Sequence, residues 1–287
     1  MNSTTFLLII LSYFTILYLI SYFTSRNDGN NAFFLGNRKA PWYVIAYGMI
    51  GTTLSGITFI SVPGWVNSSQ FSYMQMVFGF FVGYFIISRV LLPLYYKMEL
   101  VSIYSYLKTR FGVFSYKTGS SLFLISRTIG ASFRLYLIAS VLQFAIFDSI
   151  NIPFYLTVLI TIILIWVYTY RSGIKTIIWT DAIQTTLMIL SVVIIGYFLT
   201  KNLEISLIDM FNKIKESPNS RIFFFDDISD KKYFWKQFLS GVFMAIVMTG
   251  LDQDQMQKNL SCKNLKDAQK NMFSFSLILI VVDVLFL

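Results

Sequence analysis

Pro41-Trp42-Tyr43-Val44-Ile45-Ala46-Tyr47-Gly48-Met49-Ile50-Gly51-Thr52-Thr53-Leu54-Ser55-Gly56-Ile57-Thr58-Phe59-Ile60-Ser61-Val62-Pro63-Gly64 is long and apolar enough to cross a bilayer, yet its centre is a poor helix. Gly48, Gly51 and Gly56 weaken the helix near mid-membrane, and Thr52, Thr53, Ser55, Thr58 and Ser61 surround them with hydroxyls. A helix broken inside lipid frees carbonyls that must line a cavity or bind something. Carbonyls together with hydroxyls are hard oxygen ligands, suited to a small cation stripped of water. Discontinuous helices of this kind build the sites of secondary transporters. The same residues, as Gly51-x-x-x-Ser55 and Thr52-x-x-x-Gly56, also form small-residue faces on which helices pack closely. Residue type alone leaves both readings open.

The rest of the chain is equally apolar. Of its 287 residues 56% are hydrophobic and 13% charged, and the mean hydropathy is +0.64. Soluble domains carry about 25% charged residues, so a water-soluble globular protein is disfavoured. Histidine is absent, which excludes imidazole catalysis and His-ligated metal. The single cysteine, Cys262, excludes an intrachain disulfide and a thiolate zinc cluster. The net charge of +9 comes from basic residues in short loops between apolar runs, which reads as a membrane-topology signal and not as a nucleic-acid surface.

Eight apolar stretches, about 6–23, 42–66, 74–96, 120–147, 154–168, 177–200, 234–250 and 272–287, are candidate spans of one membrane domain over residues 1–287. The 49 residues between Lys39 and Arg89 carry no charge, room for two helices and the polar turn Asn67-Ser68-Ser69-Gln70. Lys and Arg alternate between connections. Arg26, Arg38 and Lys39 follow the first span, Lys97, Lys108, Arg110 and Lys117 the third, Arg171 and Lys175 the fifth, and Lys258, Lys263, Lys266 and Lys270 the seventh. The connections after the second and fourth spans have none. This predicts a multi-pass protein of the cell membrane with its N-terminus outside. The connection Lys201–Tyr233 is then external, and Leu207, Ile208, Phe211 and Ile214 give it an amphipathic helix lying at the outer surface. No charged n-region or small-residue cleavage site marks the first span as a signal peptide. The chain stops at Leu287 inside an apolar run, which predicts a longer protein.

Of the charges that fall within spans, four bear on function. Arg127 and Arg134, seven residues apart, share a face of the fourth span. A charge at the bilayer centre costs at least about 2.5–3.5 kcal/mol, and a planar fork at that depth suits a carboxylate, of a solute or of an internal acid. Arg127 lies nearer the cytoplasmic end, where a long side chain reaches water. Asp181 is placed in the first turn of the sixth span, where an acid complements the helix dipole. Asp283, in the last span, is a buried acid that could pair with an arginine.

Phe34-Leu35-Gly36-Asn37-Arg38, then Pro41-Trp42, then Gly51-Thr52-Thr53-Leu54-Ser55-Gly56-Ile57-Thr58-Phe59 resemble the sodium/solute symporter family, and most closely its sialic-acid-transporting branch. Three further blocks, in order along the chain, resemble the same family. Leu91-Leu92-Pro93 with Tyr104-Ser105-Tyr106-Leu107 and Arg110-Phe111 resembles the end of the third span and the segment after it. Gly173-Ile174 with Ile178-Trp179-Thr180-Asp181-Ala182-Ile183-Gln184 resembles the start of the sixth. Gln253-Asp254-Gln255-Met256-Gln257-Lys258 with Asp267-Ala268-Gln269-Lys270 resembles the loop after the seventh.

The resemblance implies an all-α membrane protein with the LeuT-like inverted-repeat fold, of which this chain would supply the leading helix, the first five-helix repeat and two helices of the second. It implies a sodium ion held in part by the carbonyls of Gly51 and Leu54, its other ligands lying on a later helix. It gives Asp181 a part in a second sodium site or in the cation exit path. Solute contacts carry over to Ser55 and Thr58, with Thr53 facing the same cavity, and the carboxylate-binding arginine of the sialic-acid branch falls on Arg134 or, one or two turns away, Arg127. Where sugar- and sialic-acid-transporting members place a polar residue in the next helix this chain has Val77, with Tyr73 and Gln75 the nearest polar groups, and the Asn and Lys positions of the galactose-transporting branch fall on Ala245 and Leu279. A neutral hexose is thereby disfavoured. The function implied is sodium-driven import of a small organic solute, anionic in character (a sugar acid or carboxylate), by alternating access. The alternative is a symporter-like sensor domain of a signalling protein, and an enzyme is disfavoured.

Overall fold

The computed structural model describes residues 3–24, 33–169 and 173–287. Among them the regular structure is helical, apart from one isolated backbone bridge between Ala40 and Cys262. The chain divides into two compact units, Met1–Gly36 with Tyr104–Ile177, and Asn37–Ile103 with Ile178–Leu287.

The first unit is built on α1 (Ser3–Thr24), α6 (Tyr104–Leu142) and α7 (Phe154–Thr169). Hydroxyls in these apolar helices bond back to their own ladder, as Ser12 does to the Ile9 carbonyl and Thr161 to that of Thr157, so they cost little in lipid. Ser21 Oγ crosses to the Tyr168 carbonyl at 2.7 Å and ties α1 to α7. The segment holding Lys108, Arg110 and Lys117, read from the sequence as loop, is helical. Gly112, at φ 89° and ψ 178°, breaks α6 into a short piece from Tyr104 and the long apolar piece that follows. Glycine reaches that conformation without a Cβ penalty.

The second unit holds α2 (Trp42–Thr53), α3 (Gly56–Ser69), α4 (Tyr73–Ile86) and α5 (Leu92–Lys97). It also holds α8 (Ile174–Asn202) from Ile178 onward, α9 (Leu207–Glu216), α10 (Phe234–Ala245), α11 (Gln253–Leu260) and α12 (Leu265–Phe286). π-helical turns at Ile87–Leu91 and Ile246–Gly250 extend α4 and α10. The core gathers Met49 and Ile50 of α2, Ile87 and Leu92, and Phe275 and Leu279 of α12, all essentially fully buried.

The tightest packing is between α4 and α10. A Cβ at Gly79 would strike the Phe238 carbonyl, and one at Gly241 the Met76 carbonyl. One turn on, a Cβ at Gly83 would stand 2.7 Å from Ala245 Cβ. Gly79-x-x-x-Gly83 and Gly241-x-x-x-Ala245 thus form a small-residue crossing at which the two backbones touch.

Two helices begin earlier than their hydropathy indicates. α12 starts at Leu265, capped by Asn264, which accepts from Asp267 N at 2.8 Å, so Lys266 and Lys270 stand on its first turns and not in a loop. α8 starts at Ile174, which places Asp181 two turns inside the helix, about 10 Å from its start at 1.5 Å per residue. The first-turn dipole account of Asp181 is therefore corrected.

Among the described residues several helices are long and apolar enough to cross a membrane: five, or six when α10 and α11, bent by 68° at a short break, count as one. The 201–233 segment folds back on the second unit through Gln75. This buried amide donates to the Lys232 carbonyl at 2.9 Å and accepts from Phe224 N at 3.1 Å. α9 forms there, capped by Ser206 and Asp209, and Leu207, Ile208, Phe211 and Ile214 stay uncovered by protein. The cap's hydrogen bonds from Ser206 hold the Asp209 carboxyl below the usual carboxylate range.

Cys262 sits in the α11–α12 turn, wholly buried, with Tyr96 Oη donating to its carbonyl at 3.1 Å.

Candidate cation and solute site

α2 and α3 are separated by a two-residue break. Leu54 (φ −88°, ψ 115°) and Ser55 (φ −101°, ψ 169°) are extended, and the helix restarts at Gly56. What sustains the break is a reciprocal cap. Ser55 Oγ accepts from Thr58 N at 3.4 Å, and Thr58 Oγ1 accepts from Ser55 N at 3.2 Å. In an unbroken helix those two N–H groups would bond the carbonyls four residues back, those of Gly51 and Leu54. The cap withdraws both. The two carbonyls that the family resemblance implies as cation ligands are the ones that lose these helix partners.

Gly51 is held against α8. Its N–H donates to Thr185 Oγ1 at 2.9 Å, and the same oxygen stands 3.1 Å from the Tyr47 carbonyl and 2.9 Å from that of Asp181. A Cβ on Gly51 would collide with Thr185 Oγ1, so close packing is also satisfied here. Close packing and the break occupy opposite ends of this stretch. Gly48 and Gly51 face α8, and the Ser/Thr pair on the far side of the break makes the cap.

Behind the break lies a charged cluster. Lys258 of α11, with 2% of its side chain exposed, places Nζ 2.6 Å from Asp181 Oδ2 of α8 and donates to Thr52 Oγ1 of α2 at 2.7 Å. Thr52 Oγ1 is itself 3.2 Å from both Asp181 Oδ2 and the Gly48 carbonyl. Three helices meet on this contact. Counting loop lysines had placed Lys258 in a cytoplasmic connection. The structure buries it, because α11 folds back from α10 and carries it inward.

The other residues singled out from the sequence divide as follows. Ser55 and Thr58 each accept one bond in the cap, and their hydroxyl oxygens stand 3.3 Å apart, so one O–H bonds the other hydroxyl and one is left to donate. Thr53 is half-buried on the last turn of α2. Arg134 and Arg127 belong to the other unit, on α6; Arg134 is exposed, and the Arg127 guanidinium lies 5.7 Å from the centre of the Phe123 ring. Val77, Ala245 and Leu279 are buried in helix contacts, and Gln75 is spent on the 201–233 backbone, so none of them offers a polar group to a solute. Asp283 on α12 is 1% exposed, and neither carboxylate oxygen has a hydrogen-bond partner, so the expected pairing with an arginine is absent among the described residues.

The description of the sodium:solute symporter family matches residues 33–287. The chain belongs to that family. Its relatives among symporters include the sodium/sialic acid symporter NanT of Aliivibrio fischeri, 27% identical over 67% of this chain and 37% of that protein. The human sodium-coupled monocarboxylate transporter 1 is 25% identical over 84% of this chain and 39% of that protein. This symporter-family chain thus spans well under half the length of either relative. Its fold matches a solved Na+-coupled sialic acid symporter, in a substrate-bound outward-open state, at a TM-score of 0.81 with 21% identity, covering 96% of this chain and 58% of the other. The architecture is LeuT-like, that of a multi-pass membrane protein.

Proposed function

We propose that this chain forms part of a sodium-coupled symporter that imports a small anionic solute by alternating access, with its N-terminus outside. The observation that carries the reading is the Ser55–Thr58 cap, which leaves the Gly51 and Leu54 carbonyls without helix partners at a break inside the membrane. Carbonyls so placed suit a dehydrated monovalent cation, and the relatives named above are sodium-coupled. Both of those relatives are named for acids, which favours an anionic solute here. Ser55 and Thr58, with Thr53, supply hydroxyl donors for its oxygens, and Arg134 its charge-assisted partner. Val77, Ala245 and Leu279 speak against a neutral hexose.

The test is thermal stabilisation of the purified complete protein in sodium against potassium, with sialic acid, short monocarboxylates and neutral sugars as probes. Sodium with a carboxylate should stabilise, by about 2.7 kcal/mol at a hundredfold excess over Kd. Ser55→Ala combined with Thr58→Val removes the cap and lets the carbonyls re-enter the ladder. It should raise the sodium concentration needed for half-effect at least about tenfold, as each cap is worth about 1 kcal/mol. An unchanged sodium midpoint in the double variant would remove the break from cation binding. Stabilisation by neutral sugars alone would overturn the anionic assignment.

A further inference from the structure

Asp181 carries a carboxylate deep in α8, and the family resemblance would make it a ligand of a second sodium ion. Its immediate surroundings tell against that. The oxygen facing the cluster, Oδ2, is already bonded to the Lys258 ammonium at 2.6 Å, and the nearest hydroxyl, Thr52 Oγ1, accepts from the same ammonium at 2.7 Å. These are the two hard oxygens that a cation would use on this face of α2 and α8. We propose that Lys258 is the resident cation of this position, an ammonium tethered to α11 that fills the place of a second sodium ion, so that the transporter couples one sodium ion to each solute.

The charge balance supports this. Lys258 is 2% exposed and Asp181 16%, and one positive charge neutralises one negative charge there. A sodium ion added to the intact pair would leave an excess positive charge in a largely buried space, against direct repulsion from the ammonium. The ammonium also meets the local hydrogen-bonding demand. It gives two of its three protons to Asp181 and Thr52, and Thr52 keeps its own proton for the Gly48 carbonyl or Asp181. The stem of Lys258 spans the gap between helices, and α11 is anchored at its start by Asp252, which accepts from Gln255 N at 3.2 Å. Thr52 follows Gly51 directly, so the tethered cation holds the same turn of α2 that presents the freed carbonyls. A sodium ion at the break and the ammonium behind it are thus separate cations on one helix end, the first exchangeable and the second fixed.

This assignment rests on the sodium-symport reading, and one experiment separates the two. The complete protein is reconstituted in liposomes. The sodium Hill coefficient of solute uptake is measured, together with the dependence of melting temperature on sodium concentration without solute, using choline as the replacement cation. Wild type should give a coefficient near one. Lys258→Met keeps the stem, removes the charge and opens Asp181; its coefficient should rise to near two, and its stabilisation by sodium should steepen about twofold. Lys258→Met with Asp181→Asn should return to one. If Lys258→Met folds in sodium and not in choline, sodium has taken the place of the ammonium and the proposal stands. If it folds in neither, or folds with a coefficient still of one, the ammonium is not standing in for sodium. A wild-type coefficient of two overturns the proposal with no variant needed. A wild type indifferent to sodium removes the symport reading itself.

Discussion

Gly241→Leu should abolish the docking of α10 on α4. A first side-chain carbon at Gly241 already meets the Met76 carbonyl and stands 3.1 Å from Gly79 Cα, and these are backbone atoms that no rotamer change can move aside. Overpacking a core by a methylene or two costs about 1–3 kcal/mol where side chains can yield. Here a whole isobutyl group must enter where helices touch, and the expected loss exceeds about 3 kcal/mol. Gel filtration of heated, detergent-solubilised protein should show the variant aggregating far below the wild-type melting temperature. Gly196→Ala is the control. Nothing lies within 4 Å of a Cβ at that point of α8, and the change should leave melting unaltered or raised by the better helix propensity of alanine, about 1 kcal/mol. Equal melting of Gly241→Leu and wild type would show that the crossing is looser than described.

Lys258→Met should cost about 3–5 kcal/mol when melting is followed in potassium, because it strands the Asp181 carboxylate in a buried position. Adding Asp181→Asn should recover most of that loss, since a neutral pair has no charge to desolvate. The comparison reads the coupling between the two side chains directly. Single and double variants melting together would mean that the carboxylate finds another partner when the ammonium is gone.

The break in the second span was legible because its cause is local. Gly, Ser and Thr crowd one stretch, and Ser55 and Thr58 stand at the spacing a cap requires. The freed carbonyls follow from that spacing. The role of Lys258 was not legible by counting charge along the chain, which assigns every lysine between apolar runs to water. Its burial depends on the bend between α10 and α11, a tertiary fact. The α4–α10 crossing lay between these cases. Gly79-x-x-x-Gly83 is plain in the sequence, and the four-residue spacing that was weighed around Gly51 would have found it as well. Helix starts were missed where charged residues occupy the first turns, as Lys266 and Lys270 do, because hydropathy registers only the apolar part of a helix.

The sealed turn at Cys262 has a practical consequence. Thiol reagents attack the thiolate, and burial pushes this thiol up to about 12, so at neutral pH almost none of it is ionised, and its surface is fully buried. Within residues 1–287 the native cysteine is therefore a silent background for maleimide mapping. A cysteine placed at exposed Ser68 should react with an impermeant maleimide added to whole cells, and one at exposed Lys108 only after the membrane is opened. The reverse pattern would turn the protein over in the bilayer.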